Sequence, residues 1–555
     1  MKKTITLLAL GAMLIGSTAK AQAPAWSLAQ RAGGSAADAC NAVVTDAGGN
    51  FYLTGYFNSS QLALGTTLLN NTGGLDMYVV KYDPSGNVIW AKSSTGSGND
   101  VGYSLTVDAT GNVYVVGSSN SNNLMFGSVG LSAHGYDDVF VVKYDPSGNV
   151  LWAKAGGGIN DDLGESVAVD ASGNVYITGI FASHTINFSG TVLTTNGGNN
   201  DVFLVKYNSG GTLVWAKNFG GYDDEGVGAV TLDATGNPYL TGSYLSPKIG
   251  FGTDTLVNGG GLDLFTVKLD PSGNTVWAKT ASGTLNDVGY DIKVDASGNV
   301  HVVGTFNSHN LTFGTTVLAT KGNDDIFVLK YDPSGNVLWA KSLGGNGDDI
   351  GKSISLDANG NSLIAGYYAS TSMLAGTTTL TNAGTNNLYL AGYDGSGNVL
   401  WAKSAGGSGS ADDRANSICT DGFGNAFVGG YFTSPTLTLG ATPLANAGVM
   451  DIFVAKVLSG AAGIEENQLN EASIRAYPNP GTGLFMLQLN GFQEGSSEAQ
   501  LSVVNVLGQE VYKALVNIHT SGNPISLSAQ PDGLYYLILT RDNKQYQSKV
   551  ILSHQ

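Results

Sequence analysis

The chain has few of the charged side chains on which many binding and catalytic sites depend. Among its 555 residues, Lys and Arg together number 26 against 43 Asp and Glu, which gives a formal net charge of −17. A chain this acidic cannot form the positive surface that nucleic acid requires, and its charge also disfavours anionic lipid. The composition therefore excludes a nucleic-acid-binding protein.

Arginine and glutamate are especially scarce before residue 458, where Arg31, Arg414, Glu165 and Glu225 are the only ones. A sialidase-like site needs a cluster of arginines to hold a carboxylate. A glycosidase needs two carboxylates that flank one bond, and no pair of aspartates stands out from the others. Because no cofactor motif is present either, we expect no cofactor.

Long apolar runs are missing apart from the first residues. Lys2 and Lys3 precede an apolar stretch at residues 5–15, which is too short to cross a bilayer, and small residues follow it. This pattern predicts a signal peptide over residues 1–21, with cleavage after Ala21 or Ala23. No later segment predicts a transmembrane helix.

Glycine, in contrast, is abundant at 79 residues, and the chain is strongly repetitive. The intervals between successive tryptophans are 64, 62, 63, 62, 62 and 62 residues, at Trp26, Trp90, Trp152, Trp215, Trp277, Trp339 and Trp401. Each period holds four short Val-, Tyr- and Phe-rich segments between Gly, Asn, Asp and Ser turns, which predicts four antiparallel strands. Four such strands form one propeller blade. The sequence therefore predicts an all-β fold with a seven-bladed β-propeller at residues 22–457, and we interpret the tryptophans as one repeated position between blades.

The two ends of the array indicate a closed ring. The array starts with an isolated outer strand at Trp26 and ends with a third strand near Asp451 that no tryptophan strand follows. An open array would leave two unpaired strand edges, whereas a ring lets the Trp26 strand complete blade seven. A Gly-Thr segment between strands two and three of each blade predicts a small extra hairpin.

The repeated units resemble those of a bacterial β-propeller repeat family called SBBP. The shared pattern is Val-Asp-Ala-Ser-Gly-Asn-Val-Tyr, followed by Asp-Val-Phe-Val-Val-Lys-Tyr-Asp-Pro-Ser-Gly-Asn-Val-Leu-Trp-Ala-Lys. It recurs seven times in register from residue 26 to about residue 457. The resemblance implies a propeller in an extracellular setting and does not imply one activity.

The repeat ends before a Gly-, Ala- and Glu-rich linker at residues 458–473, and residues 474–555 form a different unit, expected to be a β-sandwich. This unit resembles the C-terminal sorting domain of the type IX secretion system of Bacteroidetes. The residues that carry the resemblance are Tyr477, Pro478, Asn479, Pro480, Gly508, Gly533, Tyr535 and Lys549. The resemblance implies that the secretion machinery is a partner and that the chain is exported through the periplasm to the outer surface or released.

Aspartates recur in the loops that enter strands one and three of the blades. Aspartate oxygens beside flexible glycines can bind Ca²⁺, but they also accept hydrogen bonds from loop N–H groups. The residues that would bind a metal are Asp161, Asp162, Asp223, Asp224, Asp348, Asp349, Asp412 and Asp413. Capping of the backbone is the alternative that best explains one Asp at a fixed place in each loop.

The two cysteines, Cys40 and Cys419, are expected on neighbouring inner strands of a closed ring. Counted from the aspartates that end those strands, they are offset by four residues, or roughly 13 Å. Disulfide formation requires Cα atoms within about 7 Å. We therefore predict two free thiols.

Three functions are compatible with the sequence. The first is a surface binding or adhesion protein that holds a glycan or protein on the propeller face. The second is an extracellular carbohydrate-active hydrolase or lyase with a site at the propeller mouth, and the third is a structural surface protein. Departures from the repeat mark where a specialised site is expected: Asn386, Asn387 and Gly392 in blade six, and Arg31 and Arg414 near the junction of blades seven and one.

Overall fold

The computed structural model describes residues 23–132, 134–281, 283–458, 473–477, 481–490, 498–505, 509–517, 523–541 and 544–553. The chain divides into two compact units, Met1–Gly463 and Ile464–Gln555. The segments expected to be the signal peptide and most of the linker lie outside the described residues. The regular structure of the described residues is all β-strand.

The first unit is built from blades of four long strands, with a short hairpin inserted after the second. Strand β1 (Trp26–Ala32) precedes blade one. Blade one contains β2 (Asp38–Thr45), β3 (Phe51–Phe57), β4 (Gln61–Leu64), β5 (Thr67–Asn70), β6 (Asp76–Tyr82) and β7 (Val88–Ser93). Blade two contains β8 (Asp100–Val107), β9 (Val113–Ser119), β10 (Asn123–Phe126), β11 (Val129–Ser132), β12 (Asp138–Tyr144) and β13 (Val150–Gly157). Blade three contains β14 (Asp162–Val169), β15 (Val175–Phe181), β16 (Thr185–Phe188), β17 (Thr191–Thr194), β18 (Asp201–Tyr207) and β19 (Leu213–Phe219).

The next blades repeat the same order of strands. Blade four contains β20 (Glu225–Leu232), β21 (Pro238–Tyr244), β22 (Lys248–Phe251), β23 (Asp254–Val257), β24 (Asp263–Leu269) and β25 (Thr275–Ala281). Blade five contains β26 (Asp287–Val294), β27 (Val300–Phe306), β28 (Asn310–Phe313), β29 (Thr316–Ala319), β30 (Asp325–Tyr331) and β31 (Val337–Leu343). Blade six contains β32 (Asp349–Leu356), β33 (Ser362–Tyr368), β34 (Ser372–Ala375), β35 (Thr378–Thr381), β36 (Asn387–Tyr393) and β37 (Val399–Ala405). Blade seven contains β38 (Asp413–Thr420), β39 (Ala426–Phe432), β40 (Thr436–Leu439), β41 (Thr442–Ala445) and β42 (Asp451–Val457), and it takes β1 as its outer strand.

Closure of the ring by the N-terminal strand is confirmed. Strand β1 pairs antiparallel with β42, from Trp26 opposite Val457 to Ala32 opposite Ile452. The inner strands of neighbouring blades contact each other around the whole ring, including β38 with β2. Each pair of adjacent blades encloses one apolar cluster, and these clusters form the core of the described propeller. Because the seventh cluster joins blades seven and one, ring closure buries apolar surface as well as satisfying strand edges.

The register of β1 corrects one expectation about the tryptophans. In blades one to five the tryptophan lies opposite the lysine of the third strand, as Trp152 does opposite Lys143, and in blade six Trp401 lies opposite Gly392 at the same place. In blade seven, Leu28 occupies that place opposite Lys456, and Trp26 lies two positions earlier. The prediction that every tryptophan occupies one repeated position is therefore wrong for Trp26. The displacement accounts for the first interval being 64 residues.

The remaining tryptophans pack between blades, as expected. Trp90 lies 6.3 Å from the ring of Tyr52 in its own blade and 6.3 Å from that of Tyr144 in the next. Its indole N–H donates to the carbonyl of Pro146 at 3.0 Å. Gly148 of the same turn has a φ of 81°, and a side chain there would lie 2.8 Å from Trp90. Glycine is therefore needed both for the turn and for the contact between blades.

The turns that contain Asp-x-x-Gly-Asn are held by their own side chains. In the turn at Asp108, one carboxylate oxygen accepts from the backbone N–H groups of Thr110 and Asn112, each at 2.9 Å. The other oxygen accepts from the Asn112 amide at 2.8 Å and from the Tyr114 hydroxyl at 2.9 Å. Burial alone would raise the pKa of Asp108, but these hydrogen bonds outweigh it and hold the pKa at about 2. These aspartates are structural.

The inserted segments form hairpins, as the Gly-Thr pattern predicts. The first strand of a hairpin pairs in part with the outer strand of the preceding blade, as Phe188 does opposite Gly156, Met125 opposite Thr95 and Ala63 opposite Gly33. An outer strand is otherwise an exposed edge that can pair with another chain. The hairpins therefore shield the edges of these blades.

The second unit contains two antiparallel sheets. Its strands are β43 (Ser473–Tyr477), β44 (Leu484–Asn490), β45 (Glu498–Asn505), β46 (Glu510–Asn517), β47 (Asn523–Ser526), β48 (Gly533–Arg541) and β49 (Lys544–Leu552). One sheet has the order β43–β44–β47 and the other β46–β45–β48–β49. Leu487 of the first sheet and Leu501 and Leu537 of the second belong to one buried apolar cluster. This is the arrangement expected of a small β-sandwich.

Candidate functional site

Two sets of buried side chains begin the strands of every blade. The inner-strand acids are the first residues of the innermost strands, at Asp38, Asp100, Asp162, Glu225, Asp287, Asp349 and Asp413. The third-strand residues begin the third strands, at Asp76, Asp138, Asp201, Asp263, Asp325, Asn387 and Asp451. Both sets are almost completely buried, so neither forms an open acidic surface.

The inner-strand acids organise the loops around them. One oxygen of Asp162 accepts from the Gly158 N–H at 2.7 Å and from the Ser183 hydroxyl at 2.9 Å, and the other accepts from the Ser183 N–H at 3.2 Å. Asp349 makes the same contacts with Gly345 and Ser370. Such a carboxylate caps two loops at once, which is the role that the sequence gives as the alternative to metal binding.

Each inner-strand acid also lies near a third-strand residue of the preceding blade. Burial raises the pKa of Asp162 to about 6 and that of Glu225 to about 7, and the nearby carboxyls of Asp138 and Asp201 add to the effect. One oxygen of Asp138 and one of Asp201 are buried without a hydrogen-bond partner in the described structure. At the junctions of blades two and three and of blades three and four, these pairs of carboxyl groups therefore favour the protonated forms of Asp162 and Glu225.

The residues expected to bind a metal fall into three environments. Asp162, Asp349 and Asp413 are buried caps, whereas Asp161, Asp223 and Asp348 are exposed. Asp224 and Asp412 are partly exposed, and in blade four Glu225 takes the place that Asp162 has in blade three. Among the residues that the structure describes, no group of three or more His, Cys, Asp or Glu side chains is arranged to hold a metal ion. Calcium binding by these residues stays a prediction.

Every inner strand, which lines the centre of the ring, contains one bulge at the same place. The ladder skips the fourth residue of each inner strand, at Asn41, Tyr103, Glu165, Gly228, Tyr290, Lys352 and Asn416. A bulge leaves its extra residue unpaired and re-aims the side chain. We call these seven the lumen residues. They do not follow the repeat, and they include an acid, a base and two tyrosines.

The charged lumen residues face each other across the channel. Glu165 belongs to blade three and Lys352 to blade six, yet each alters the ionisation of the other. Because these blades are not neighbours, the interaction crosses the lumen. Burial raises the pKa of Glu165 to about 7, against the opposing effect of Lys352. The Lys352 ammonium lies 4.4 Å from the ring centre of Tyr290, and burial lowers its pKa.

Arg414 extends this group toward the mouth of the channel. Its guanidinium lies 4.2 Å from the ring centre of Tyr367 in blade six and 5.8 Å from that of Tyr431 in its own blade. The Nε–H donates to Asp412 at 2.7 Å, and Asn386 donates to the same oxygen at 2.9 Å. The arginine is thus held by stacking and by one ion pair. We call Arg414, Tyr367, Tyr431 and Asp412 the mouth cluster.

Arg31 does not contribute to this cluster. It lies on the outer strand β1, where it forms an ion pair with Asp451 at 2.7 Å. Arg414 lies on the innermost strand β38. The two arginines are therefore separated along the radius of the blade, and only Arg414 is near the channel.

The cysteines are free, as predicted. Cys40 is buried opposite Gly55, and Cys419 lies opposite Phe427. Burial raises the pKa of the Cys40 thiol to about 12, which makes it a poor nucleophile.

The residues that carry the resemblance to a sorting domain are only partly described. Gly533 and Tyr535 lie in β48 and Lys549 in β49, and the Tyr535 hydroxyl donates to the carbonyl of Pro531 at 2.7 Å. Tyr477 ends β43, opposite Met486. Pro478, Asn479, Pro480 and Gly508 lie outside the described residues.

Comparison with family models identifies both parts of the chain. Residues 475–553 match the secretion system C-terminal sorting domain, and residues 89–124 match the SBBP beta-propeller repeat. The repeat match covers the end of blade one and the first half of blade two, and the sorting-domain match covers the C-terminal unit. The sorting-domain match indicates export of the chain by type IX secretion to the cell surface or the extracellular space. No helix in the described part of the chain has the length and apolar character needed to span a membrane.

Curated relatives match the propeller in part. An uncharacterized WD repeat-containing protein of Acanthamoeba polyphaga mimivirus is 26% identical over 415 residues, which cover 61% of this chain and 30% of the relative. Regulatory protein FlaEY of Caulobacter vibrioides is 25% identical over 392 residues, which cover 65% of this chain and 39% of the relative. The chain thus spans less than half of the length of the curated relatives it matches.

The solved structures to which the chain is similar are distant from it. The Neurospora crassa Pan2 WD40 domain has a TM-score of 0.36 and 8% identity, covering 80% of this chain and 99% of that domain. A puromycin hydrolase mutant has a TM-score of 0.37 and 11% identity, covering 84% of this chain and 58% of that protein.

Sequence reasoning missed the lumen residues as a group. In the sequence, Glu165 is notable only as one of the two glutamates before the linker, and no pattern marks Lys352, Tyr103 or Tyr290 as functional. The signal that was available is positional: the fourth residue of the inner strand differs in chemistry between blades that are otherwise alike. It carries meaning only once the bulge shows that this residue faces the channel.

Proposed function

We propose that the exported chain is a surface binding or adhesion protein that holds a glycan or protein ligand at the mouth of its central channel. The observation that carries the proposal is the placement of the residues that break the repeat. Arg414, Glu165 and Lys352 have no counterparts in the other blades, and all of them lie on inner strands at the channel. The repeated residues pack the blades against one another. Residues that differ from the repeat are not needed for that packing, and a specialised role accounts for them.

The mouth cluster has the chemistry of a recognition site. Aromatic rings give rigid contact area at a low entropic cost, and an oriented guanidinium presents hydrogen-bond donors in a fixed plane. The side chain of Arg414 is 29% exposed, and its ion pair with Asp412 engages Nε. The remaining N–H groups are therefore oriented by the stack on Tyr367 for a ligand that accepts hydrogen bonds.

The buried acids at the blade junctions also support a ligand site at the channel mouth. The inner-strand and third-strand acids are occupied with loop capping at the blade junctions, so they are not offered to a ligand. The function is then carried by the channel and its mouth, while the repeated residues hold the ring.

The experiment compares retention of the purified full chain on arrays of extracellular glycans and surface proteins. Variants Arg414→Ala and Tyr367→Ala remove the mouth cluster, and Phe423→Ala is the matched control, because Phe423 is 64% exposed in a turn between strands one and two on the opposite face. We expect retention of each mouth variant to be at least about tenfold weaker than that of the unaltered chain. Retention of the Phe423→Ala control should be unchanged. Equal retention of all three proteins would refute a ligand site at the mouth.

A further inference from the structure

Three tyrosines occupy one register position in consecutive blades of the ring. Each lies in a second strand, opposite the second residue of the inner strand, at Tyr367 in blade six, Tyr431 in blade seven and Tyr56 in blade one. All three side chains are partly exposed, whereas Tyr368, the residue after Tyr367, is completely buried. In blades two to five the same position holds Ser118, Ile180, Ser243 and Thr305. We call Tyr367, Tyr431 and Tyr56 the tyrosine arc, and it is confined to one side of the ring.

Arg414 and Asp412 add polar groups between the first two rings of the arc. The guanidinium lies 4.2 Å from the ring centre of Tyr367 and 5.8 Å from that of Tyr431, so rings of two blades flank it. Its Nε–H donates to Asp412 Oδ1 at 2.7 Å, and the Tyr431 hydroxyl lies 3.5 Å from Oδ2 of the same carboxylate. The side chains of Arg414 and Asp412 remain 29% and 27% exposed. The site therefore offers hydrogen-bond donors and an acceptor side by side, next to aromatic faces.

This combination suits a sugar. A hydroxyl group both donates and accepts, so neighbouring hydroxyls can use a guanidinium and a carboxylate at once. A sugar ring also has a face of C–H groups, which packs on an aromatic ring. A purely apolar ligand would instead leave the guanidinium and the carboxylate without hydrogen-bond partners. Because the arc extends over three blades, it can hold successive sugars of a chain.

The acids around the arc disfavour an anionic sugar. Asp412 already neutralises Arg414, and Asp324 and Asp348 act electrostatically on Tyr367 as Asp412 does. Asp348 immediately precedes the inner strand of blade six as Asp412 precedes that of blade seven, and Asp324 precedes the third strand of blade five. A carboxylate or sulfate on the ligand would therefore approach three carboxylates on this side of the ring, and like charges penalise it.

Lys352 is the second cation on this side of the ring. Its ammonium lies 4.4 Å from the ring centre of Tyr290 in blade five, which is not part of the arc. Arg414 acts on it as a like charge. The two cations are thus fewer than the three carboxylates, and they leave no surplus of positive charge for an anionic ligand.

We infer that the mouth binds an uncharged oligosaccharide whose successive sugars lie along Tyr367, Tyr431 and Tyr56. This inference rests on the proposed function, since it names the ligand class of the same site and extends that site from the mouth cluster to Tyr56. Hydroxyls of one sugar bind the remaining N–H groups of Arg414 and Oδ2 of Asp412. The sugars on either side pack on the tyrosine rings.

The test is isothermal titration of the purified full chain with β-linked sugars. The uncharged probes are the disaccharides and tetrasaccharides of mannose, glucose and xylose. The charged probe is tetramannuronate, which is mannotetraose with a carboxylate in place of each hydroxymethyl group. We expect at least one uncharged tetrasaccharide to bind, at least about tenfold more tightly than its own disaccharide. Tetramannuronate should bind at least about tenfold more weakly than that tetrasaccharide.

Tyr56 distinguishes the arc from the mouth cluster alone. Tyr56→Ala should weaken binding of the tetrasaccharide about fivefold or more and leave that of its disaccharide unchanged, because only the longer chain extends from Arg414 to blade one. Tyr56→Phe keeps the ring and should keep most of the affinity. Ser243→Ala, at the same register position in blade four, is the matched control and should not change binding. Thermal unfolding of each variant verifies that the propeller is intact.

Other outcomes overturn the inference. Tighter binding of tetramannuronate than of every uncharged tetrasaccharide would mean that Arg414 selects an anion, and an unchanged tetrasaccharide affinity in Tyr56→Ala would remove the arc. If no oligosaccharide binds but a surface protein is still retained in a manner that depends on Arg414, only the ligand class fails. If neither oligosaccharides nor surface proteins bind, the proposed function fails with it.

Discussion

Replacement of Gly242 by alanine tests whether the inner-strand bulge dictates a glycine in the second strand. A glycine lies opposite the residue before the bulge in each blade, at Gly55, Gly117, Gly179, Gly242, Gly304, Gly366 and Gly430. A β-carbon at Gly242 would lie 2.1 Å from the carbonyl oxygen of Gly226, 2.8 Å from Val227 Cα and 2.8 Å from the ring of Phe265. Two of the three obstacles are backbone atoms, so no rotamer change can relieve them.

The loss in the free energy of unfolding can be estimated from the strand movement that the alanine requires. Relief requires separating strands β20 and β21 by roughly 1 Å, which weakens ladder hydrogen bonds of about 1 kcal/mol each in addition to an overpacking cost of about 1–3 kcal/mol. We expect Gly242→Ala to lower the free energy of unfolding by about 3 kcal/mol or more. Gly250→Ala in the hairpin of the same blade is the control, because a β-carbon there meets open space. It should be neutral or stabilise by about 0.4–1 kcal/mol.

The assay is thermal and denaturant unfolding followed by tryptophan fluorescence. All seven tryptophans lie between residues 26 and 401, so the signal reports the propeller and not the sorting domain. If the midpoint of Gly242→Ala matched that of Gly250→Ala, the bulge would not impose the glycine, and the argument that links it to the channel would be wrong.

Three further predictions concern stability. The buried acids with raised pKa, such as Glu225 at about 7, contribute stability that is present below pH 4 and is lost as pH rises through 6 to 7, whereas Asp108, whose pKa is about 2, contributes stability that is lost only as pH falls through about 2. The unfolding midpoint should therefore be highest near pH 4–5 and fall toward pH 8. Each raised group lowers the free energy of unfolding over this range by about 1.4 kcal/mol per unit of its pKa shift. Glu225→Gln should make the fall shallower, whereas Asp223→Asn, at an exposed position, should leave it unchanged. Trp277→Ala removes a buried ring between blades and should lower the free energy of unfolding by about 3–5 kcal/mol. Trp26→Ala should lower it by less, because Trp26 lies outside the register that the other tryptophans share, and equal losses would contradict that register. Millimolar Ca²⁺ added after EDTA should not raise the unfolding midpoint if the aspartates act as loop caps, and a large rise would establish the metal sites that the sequence predicts.

Much of the architecture could be predicted from the sequence because each blade of a propeller is formed by residues that are close together in the chain. The tryptophan period, the turn residues and the alternation of apolar residues recur in each blade, and each is sufficient to predict strands and turns. The excess third strand and the isolated Trp26 strand predicted ring closure, and the pairing of β1 with β42 confirms it. The sorting domain was identified from short motifs for the same reason, and residues 475–553 match its family model.

The acidic residues show where local reasoning stops. Asp161 and Asp162 are adjacent in the sequence, yet one is exposed and the other is completely buried against Ser183. Successive side chains of a strand point to opposite faces, so neighbours in a motif can have unrelated environments. Whether a carboxylate caps a loop or faces solvent depends on the loop that another strand brings to it.

By itself, the sequence determined the number of blades, the closure of the ring, the free thiols and the route of export, because these follow from periodicity, strand counting and terminal motifs. Only the tertiary structure decided which side chains enter the channel. A bulge shifts one residue out of the ladder in each inner strand, and the ring then brings Glu165 and Lys352, 187 positions apart in the sequence, to opposite sides of one lumen. That proximity arises from the closure of seven blades around an axis, which no local pattern encodes.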